Sequence, residues 1–372
     1  MSDNKKMQDT ENANTNEWIN WNEEKTIITK TDIAENAQFS SNKKLNEETL
    51  STNNSELQGK LSQIFQHFDK INIKEIDPIT VSKEREKLSF EKGFDIIIDK
   101  VNDLIFKLLN KGIEGKVAKE RVIEYFNSYN VNSQEIYTWL SNNQNVSNSI
   151  FLLGYLNYYG IEIIRNNKKA FNLFTNASEK DHILAQTYVG ECYQYGYGTI
   201  KNEKLAFEYY EKVANKDFAN GQLRIGYLYY NGIGIKKDLK KSIHWYENAA
   251  NNGNIMAMHN LGKCYLNGEG VEKDYNKAFE LFKRSAEEGY LRATTMLGYC
   301  YENGTGIEID HQKAFELYQK SANLGSMIAQ YNLGLMYEYG KGLTKDIDQA
   351  IYWYEKSANQ GCQNALHKIK SL

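Results

Sequence analysis

Residues 254–290 read NIMAMHNLGKCYLNGEGVEKDYNKAFELFKRSAEEGY. Ala257, Leu261, Gly262 and Tyr265 recur at offsets that place them on one helical face. Gly268-Glu269-Gly270-Val271 then interrupts the pattern. Ala278, Phe279, Phe282 and Ala286 set up a second helix that stops at Gly289. The stretch is therefore two helices joined by a glycine loop. Its interior glycine returns at Gly154, Gly190, Gly226, Gly262, Gly298 and Gly334, always 36 residues apart. A fixed period of that size predicts an all-α fold, a solenoid of about six stacked helical hairpins.

Each recurring residue has a physical task. Asn166, Asn202, Asp238, Asp274, Asp310 and Asp346 share one place in the period. All can accept a backbone N–H bond at a helix start, worth about 1 kcal/mol each. Gly253, Gly289, Gly325 and Gly361 suit the left-handed residue that ends the second helix. Asp181 and Asp217 stand there in the earliest copies, which predicts looser ends. Glycine inside the first helix costs roughly 1 kcal/mol against alanine, so six of them require a close approach with no room for a Cβ. The small residues Ala170, Ala206, Ser242, Ala278, Ala314 and Ala350 are the expected facing surface. The rings of Phe174, Tyr210, Tyr246, Phe282, Tyr318 and Tyr354 would fill the space beside them. One hairpin buries too little to offset the entropy of ordering it, so neighbours must supply the rest.

The run Ala-x3-Leu-Gly-x2-Tyr-x2-Gly-x-Gly-x3-Asp-x2-Lys-Ala-Phe, from Ala257 to Phe279, resembles the Sel-1-like repeat, a relative of the tetratricopeptide repeat with a longer loop. The resemblance covers residues 149–372 and implies a right-handed superhelix that serves as a scaffold for protein–protein contacts. Residues 56–150 are also similar to a segment of fungal Sel-1-like repeat proteins, many of which carry a kinase-like domain upstream. Val-Ala-Ile-Lys, His-Arg-Asp and Asp-Phe-Gly are absent from the sequence, so phosphotransfer is not carried over.

The formal net charge of −3 gives no reason to expect a nucleic acid or a membrane surface as partner. A polar start and the lack of a long apolar run predict cytoplasmic residence, with the nucleus as the alternative. Cys192, Cys264 and Cys300 sit at one offset on different first helices. Stacked helices lie about 8–10 Å apart, too far for an unstrained disulfide, so buried thiols are expected there. Cys362 stands alone near the end.

Before the repeats, residues 1–54 are rich in Asn, Ser, Thr, Glu and Lys and read as a disordered tail. Within it Trp18, Ile19 and Trp21 are either a stray cluster or a short docking motif. Residues 55–148 read as a helical linker and solenoid cap. Leu57, Leu61, Ile64, Phe65 and Phe68 have helical spacing, and Asp77-Pro78 breaks the chain after them. Leu88 to Leu109 reads as a packing face against the repeats rather than two short coiled-coil heptads. Further helices are expected at residues 119–127 and 133–141, the last a degenerate unit closing the open end of the array.

Chemistry-bearing motifs are sparse. The Gly-x-Gly pairs complete no nucleotide fingerprint and read as turn glycines, while the first repeat has Glu162 at the second place. The sequence holds no His-Glu-x2-His and no Cys-x2-Cys, and His244 and His259 read as packing or surface residues. No catalytic, cofactor or metal residue is expected. What remains is the first-helix face opposite the Leu-Gly-Tyr core: Arg224, Tyr227, Asn231, Asn260, Lys263, Asn267, Met296, Tyr299, Asn303, Asn332, Leu335 and Tyr339. In tetratricopeptide-like solenoids this face lines the concave groove, and its mixture of Asn, Tyr and Lys suits an extended peptide. A non-catalytic adaptor is the first functional expectation. A regulatory partner of a protein kinase and a repeat-type hydrolase are the alternatives.

If the six interior glycines mark close packing, Gly298→Leu should unfold the neighbouring repeats. A melting curve like that of the unaltered chain would contradict the packing argument.

Overall fold

A computed structural model describes residues 90–113, 115–129 and 133–372; the expected tail at 1–54 and the helix expected at 56–70 lie outside them. Among the described residues every regular element is helical. Three helices come first: α1 (Phe90–Lys111), α2 (Lys116–Ser128) and α3 (Ser133–Asn142). Hairpins follow, α4 (Ser147–Tyr159) with α5 (Asn167–Glu179), α6 (Ile183–Tyr195) with α7 (Glu203–Ala214), and α8 (Ala219–Asn231) with α9 (Leu239–Asn251). Next come α10 (Ile255–Asn267) with α11 (Tyr275–Glu287), α12 (Leu291–Asn303) with α13 (His311–Asn323), and α14 (Met327–Tyr339) with α15 (Ile347–Asn359). A final helix, α16 (Gln363–Ser371), repeats the start of the pattern. The described chain divides into two compact units, the larger holding 90–293 and 305–307, the smaller 294–304 and 308–372.

The hairpin is closed by the residues that the period singled out. Asn166, Asn202, Asp238, Asp274, Asp310 and Asp346 each accept the N–H three residues on, at 2.9–3.1 Å. The same residues donate their own N–H back to the first helix: Asn166 to Asn157 O, Asp238 to Tyr229 O, Asp346 to Tyr337 O. One residue thus starts the second helix and fixes the length of the loop before it.

The interior glycines face the rings of the second helix. A methyl group on Gly154, Gly190, Gly226, Gly262, Gly298 or Gly334 would lie 2.6–2.9 Å from a ring carbon of Phe174, Tyr210, Tyr246, Phe282, Tyr318 or Tyr354 respectively. The expected arrangement is corrected here. Ala170, Ala206, Ser242 and their equivalents are buried, but the ring is what occupies the missing Cβ position. A flat ring edge reaches the helix backbone where a methyl cannot. The small residue serves a neighbouring contact, as when Ser242 Oγ donates to Gly226 O at 2.8 Å.

The second loop glycine joins one hairpin to the one before. Gly198, Gly234, Gly270 and Gly306 in the larger unit, and Gly342 in the smaller, have φ of +68° to +79°. A Cβ on any of them would come closer than 3.0 Å to the backbone of the preceding second helix, at Asn167, Glu203, Leu239, Tyr275 and His311 respectively. These are turn glycines and stacking glycines at once. Glu162 occupies this place in the first repeat with φ +55°, and it is exposed.

Asp181 and Asp217 do not give looser ends. Both are left-handed, at φ +60° and +58°. Asp181 Oδ1 accepts from Gln186 Nε2 at 2.8 Å and Lys216 Nζ at 2.5 Å, and Asp217 Oδ1 accepts from Gln222 Nε2 at 3.4 Å. Side-chain bonds hold a conformation that glycine adopts freely.

Helix α1 packs on α4 and α8, and α3 on α4. Its apolar face, Phe94, Ile97, Ile98, Val101, Ile105 and Leu108, is buried, as the packing reading of that stretch expects. Its last turn completes the repeats chemically. His182 Nδ1 and Asn254 Oδ1 cap their own first helices. Phe218 cannot cap, and Asn110 Oδ1 of α1 accepts the Ala219 N–H at 2.7 Å in its place. Asn254 Nδ2 in turn donates to Asn110 O at 3.1 Å, and Phe106 stacks on Phe218 with ring centroids 4.8 Å apart.

Gly234→Ala and Gly253→Ala should separate turn from stacking. Both place a Cβ at positive φ, but a Cβ at residue 253 meets nothing within 4 Å. Urea denaturation should show a loss of about 1–2 kcal/mol for Gly253→Ala and at least about 1–3 kcal/mol more for Gly234→Ala. Equal losses would mean that the loop glycine serves its own turn alone.

Candidate functional site

The first helices carry the face that the sequence assigns to partner binding. In the larger unit the N-terminal helices take up part of it. Besides the packing of α1 on α4 and α8, Lys119 Nζ of α2 donates to Tyr159 O at the end of α4 at 3.0 Å. Of the face positions of the first two repeats, Leu152, Tyr155 and Tyr188 are buried, Tyr159 and Glu191 are half-buried, and Tyr195 is exposed. On α8 and α10 the face opens: Arg224, Tyr227, Asn231, Asn260 and Lys263 are half-buried and Asn267 is exposed.

Polar rungs run between successive first helices. Tyr158 Oη donates to Glu191 Oε1 at 2.8 Å, and Arg224 Nη2 bonds Glu191 Oε2 at 3.3 Å. Arg224 and Glu191 are only 16% and 18% exposed at their side chains, so the pair is largely desolvated. Burial and then the Glu191 carboxylate push the Tyr158 phenol well above its ordinary range, so it remains a donor. Tyr230 Oη donates to Glu269 in the loop of the next repeat. Arg224 therefore ties neighbouring helices together. Glu191 was missed by the sequence reading, although it lies 36 residues before Tyr227 and so occupies the same place in the period.

The asparagines are less available than their exposure suggests. Asn231 Nδ2 donates to Tyr227 O at 2.8 Å and Asn303 Nδ2 to Tyr299 O at 2.9 Å, each one turn back on its own helix. Asn267 Nδ2 reaches Glu269 Oε1 at 3.4 Å. His259 is a packing residue: it lies between Phe282 and Tyr290, and burial, then the charges of Lys263 and Arg292, holds its ring neutral.

In the smaller unit Tyr299 is half-buried, Asn303 is exposed, and Tyr339 is 49% exposed. Met296, Asn332 and Leu335 are corrected: all are buried, at 0%, 1% and 3% exposure, and none offers an open surface. At these three places an offset that opens to solvent on α8 and α10 is enclosed. A ring–carboxylate–lysine triad recurs instead. Tyr318 Oη donates to Glu302 Oε2 at 3.0 Å and Lys341 Nζ bonds Glu302 Oε1 at 3.0 Å. Tyr354 Oη and Lys368 Nζ hold Glu338 in the same way, and Lys368 also donates to Tyr339 Oη at 2.7 Å.

Cys192, Cys264, Cys300 and Cys362 are free and buried. Burial pushes the Cys300 thiol up to about 12, far from a reactive thiolate. Among the described residues no group of His, Cys, Asp or Glu is arranged to hold a metal ion, and no helix is long and apolar enough to cross a membrane.

This geometry agrees with that of known proteins. The family described as Sel1 repeat matches residues 147–182, 183–218, 219–254, 255–290, 291–326 and 328–362. The chain is similar to a protective antigen of uropathogenic Escherichia coli strains displaying an SLR fold, at 30% identity and a TM-score of 0.56, over 64% of this chain and 51% of that one. It therefore spans about half the length of that protein. A Sel1 repeat protein from Oxalobacter formigenes is 31% identical with a TM-score of 0.55, over 58% of this chain and 88% of that one. No curated protein matches the chain.

Removing Glu191 should leave the guanidinium of Arg224 largely desolvated without its carboxylate. Glu191→Ala should cost about 1–3 kcal/mol in urea denaturation, and Glu191→Ala combined with Arg224→Met should recover part of that loss. Additive losses in the double variant would show that the pair is not coupled.

Proposed function

The chain belongs to the Sel1 repeat family, and from that premise we propose that it is a non-catalytic adaptor that holds a partner protein segment on its first-helix face. The observation that carries this reading is the stretch on α8 and α10, where Tyr227, Asn260, Lys263 and Asn267 all stay at least partly accessible, whereas Leu152, Tyr155 and Tyr188 on the same face are buried in the first two repeats. A half-buried Tyr supplies rigid amphipathic area, and Lys263 a mobile charge, which suits an extended segment. The four buried thiols fit a reducing compartment, and we place the protein in the cytoplasm. That the bound partner is a protein kinase rests on the similarity of residues 56–150 to fungal relatives; co-purification with a kinase would favour it.

Selection of a displayed random peptide library against the full chain tests the face. Asn260→Ala, Lys263→Glu and Asn267→Ala together should lose the enriched peptides while the circular-dichroism melt stays unchanged. Unaltered enrichment on the triple variant would remove this face from the mechanism.

A further inference from the structure

A second surface lies within the larger unit. Between the last turns of α1, the turn joining α9 to α10, and the last turn of α11 there is a cleft of about 450 Å³. Phe106 and Met258 supply its apolar lining, and Lys107, Lys111, Arg284 and Glu288 its charges. Lys111 and Glu288 neutralise each other at 2.7 Å. Lys107 and Arg284 remain. Both are exposed, and neither makes an ion pair among the described residues. Their acidic helical neighbours one turn back, Asp103 and Glu280, do not pair with them either. Among the described residues the cleft thus presents two cations that make no ion pair, beside an apolar floor, on a chain whose net charge is −3.

We propose that this cleft docks an acidic peptide segment, with carboxylates on Lys107 and Arg284 and an apolar side chain against Phe106 and Met258. The guanidinium offers a planar fork that matches a carboxylate, and the ammonium a mobile point charge. The volume falls within the ~300–1,000 Å³ range of sites that enclose small groups, which suits one or two side chains. Two cations and an apolar lining fit a short peptide better than a nucleic acid, whose phosphates need a longer basic track. The walls come from α1 and from the α9–α11 segment, and Asn110, one turn from the lining residue Phe106, is bonded to Ala219 and Asn254. The two walls are therefore held in register before any ligand arrives, so docking does not have to assemble them.

The test uses the full chain and a fluorescein-labelled heptapeptide of glutamates around one central leucine, with its glutamine counterpart as control. Fluorescence anisotropy should show binding of the acidic peptide alone, weakening as salt rises. Lys107→Glu with Arg284→Glu should weaken binding roughly tenfold or more, with an unchanged helical melt because both side chains are exposed. Lys263→Glu on the first-helix face should leave this binding intact, so failure here is separable from failure of the adaptor reading. Equal binding of the glutamine peptide, or wild-type binding by the double variant, overturns the proposal. Displacement by millimolar inorganic phosphate but not by millimolar acetate also overturns it, because the cleft would then be a phosphate site.

Discussion

The fold depends on a missing Cβ. At each interior glycine the first helix has a bare strip of backbone, and a ring of the second helix lies against it, as Phe282 does on Gly262. That contact sets how closely the two helices of a hairpin approach. A second bare position, the second loop glycine, lets the loop of one hairpin lie against the start of the preceding second helix, as Gly234 does on Glu203. One glycine fixes the hairpin and the other fixes the stacking. Because both must come into register in every copy, the period admits no insertion or deletion between Gly154 and Gly334. The Asn or Asp cap stands between them and holds the spacing, accepting one hydrogen bond forward and donating one back.

Polar contacts then differ between copies. The position four residues after the interior glycine receives the Tyr hydroxyl of the second helix when it is Gln194, Glu302 or Glu338. It reaches into the next loop when it is Tyr230. Glu302 is almost wholly enclosed, and only the lysine and phenol that meet it make that burial tolerable. Glu302 and Glu338 share one arrangement while Gln194 and Tyr230 make others, so the polar contacts are not uniform along the array. Registry by buried polar groups is a known use of such pairs.

The hairpin plan was legible because its constraints are local and repeated: six caps, six interior glycines, one period. What escaped was either long-range or dependent on a side chain's second bond. Nothing in the Phe218 neighbourhood announces that its helix is capped by Asn110, which precedes it by 109 residues. Asp181 looks like a defective glycine until Gln186 and Lys216 are seen to hold it. Asn231 and Asn303 read as open donors, yet each is bonded to its own helix. Met296, Asn332 and Leu335 share a face angle with Arg224, Asn260 or Lys263, but angle about a helix axis does not determine what covers a residue.

The exceptions to the period show which constraint each position answers. Glu162 stands where every later repeat has glycine, adopts the same left-handed backbone, and remains exposed. The turn alone therefore tolerates a side chain. What excludes one in later copies is the backbone of the preceding second helix, seen at Asn167, Glu203, Leu239, Tyr275 and His311. Phe218 makes the same point from the other side. A first helix can dispense with its own cap when α1 brings Asn110 to the spot, and the ring gained there stacks on Phe106. The N-terminal helices are thus part of the repeat chemistry. They cap α8, which lacks a cap of its own, and take up part of the first-helix face on α4.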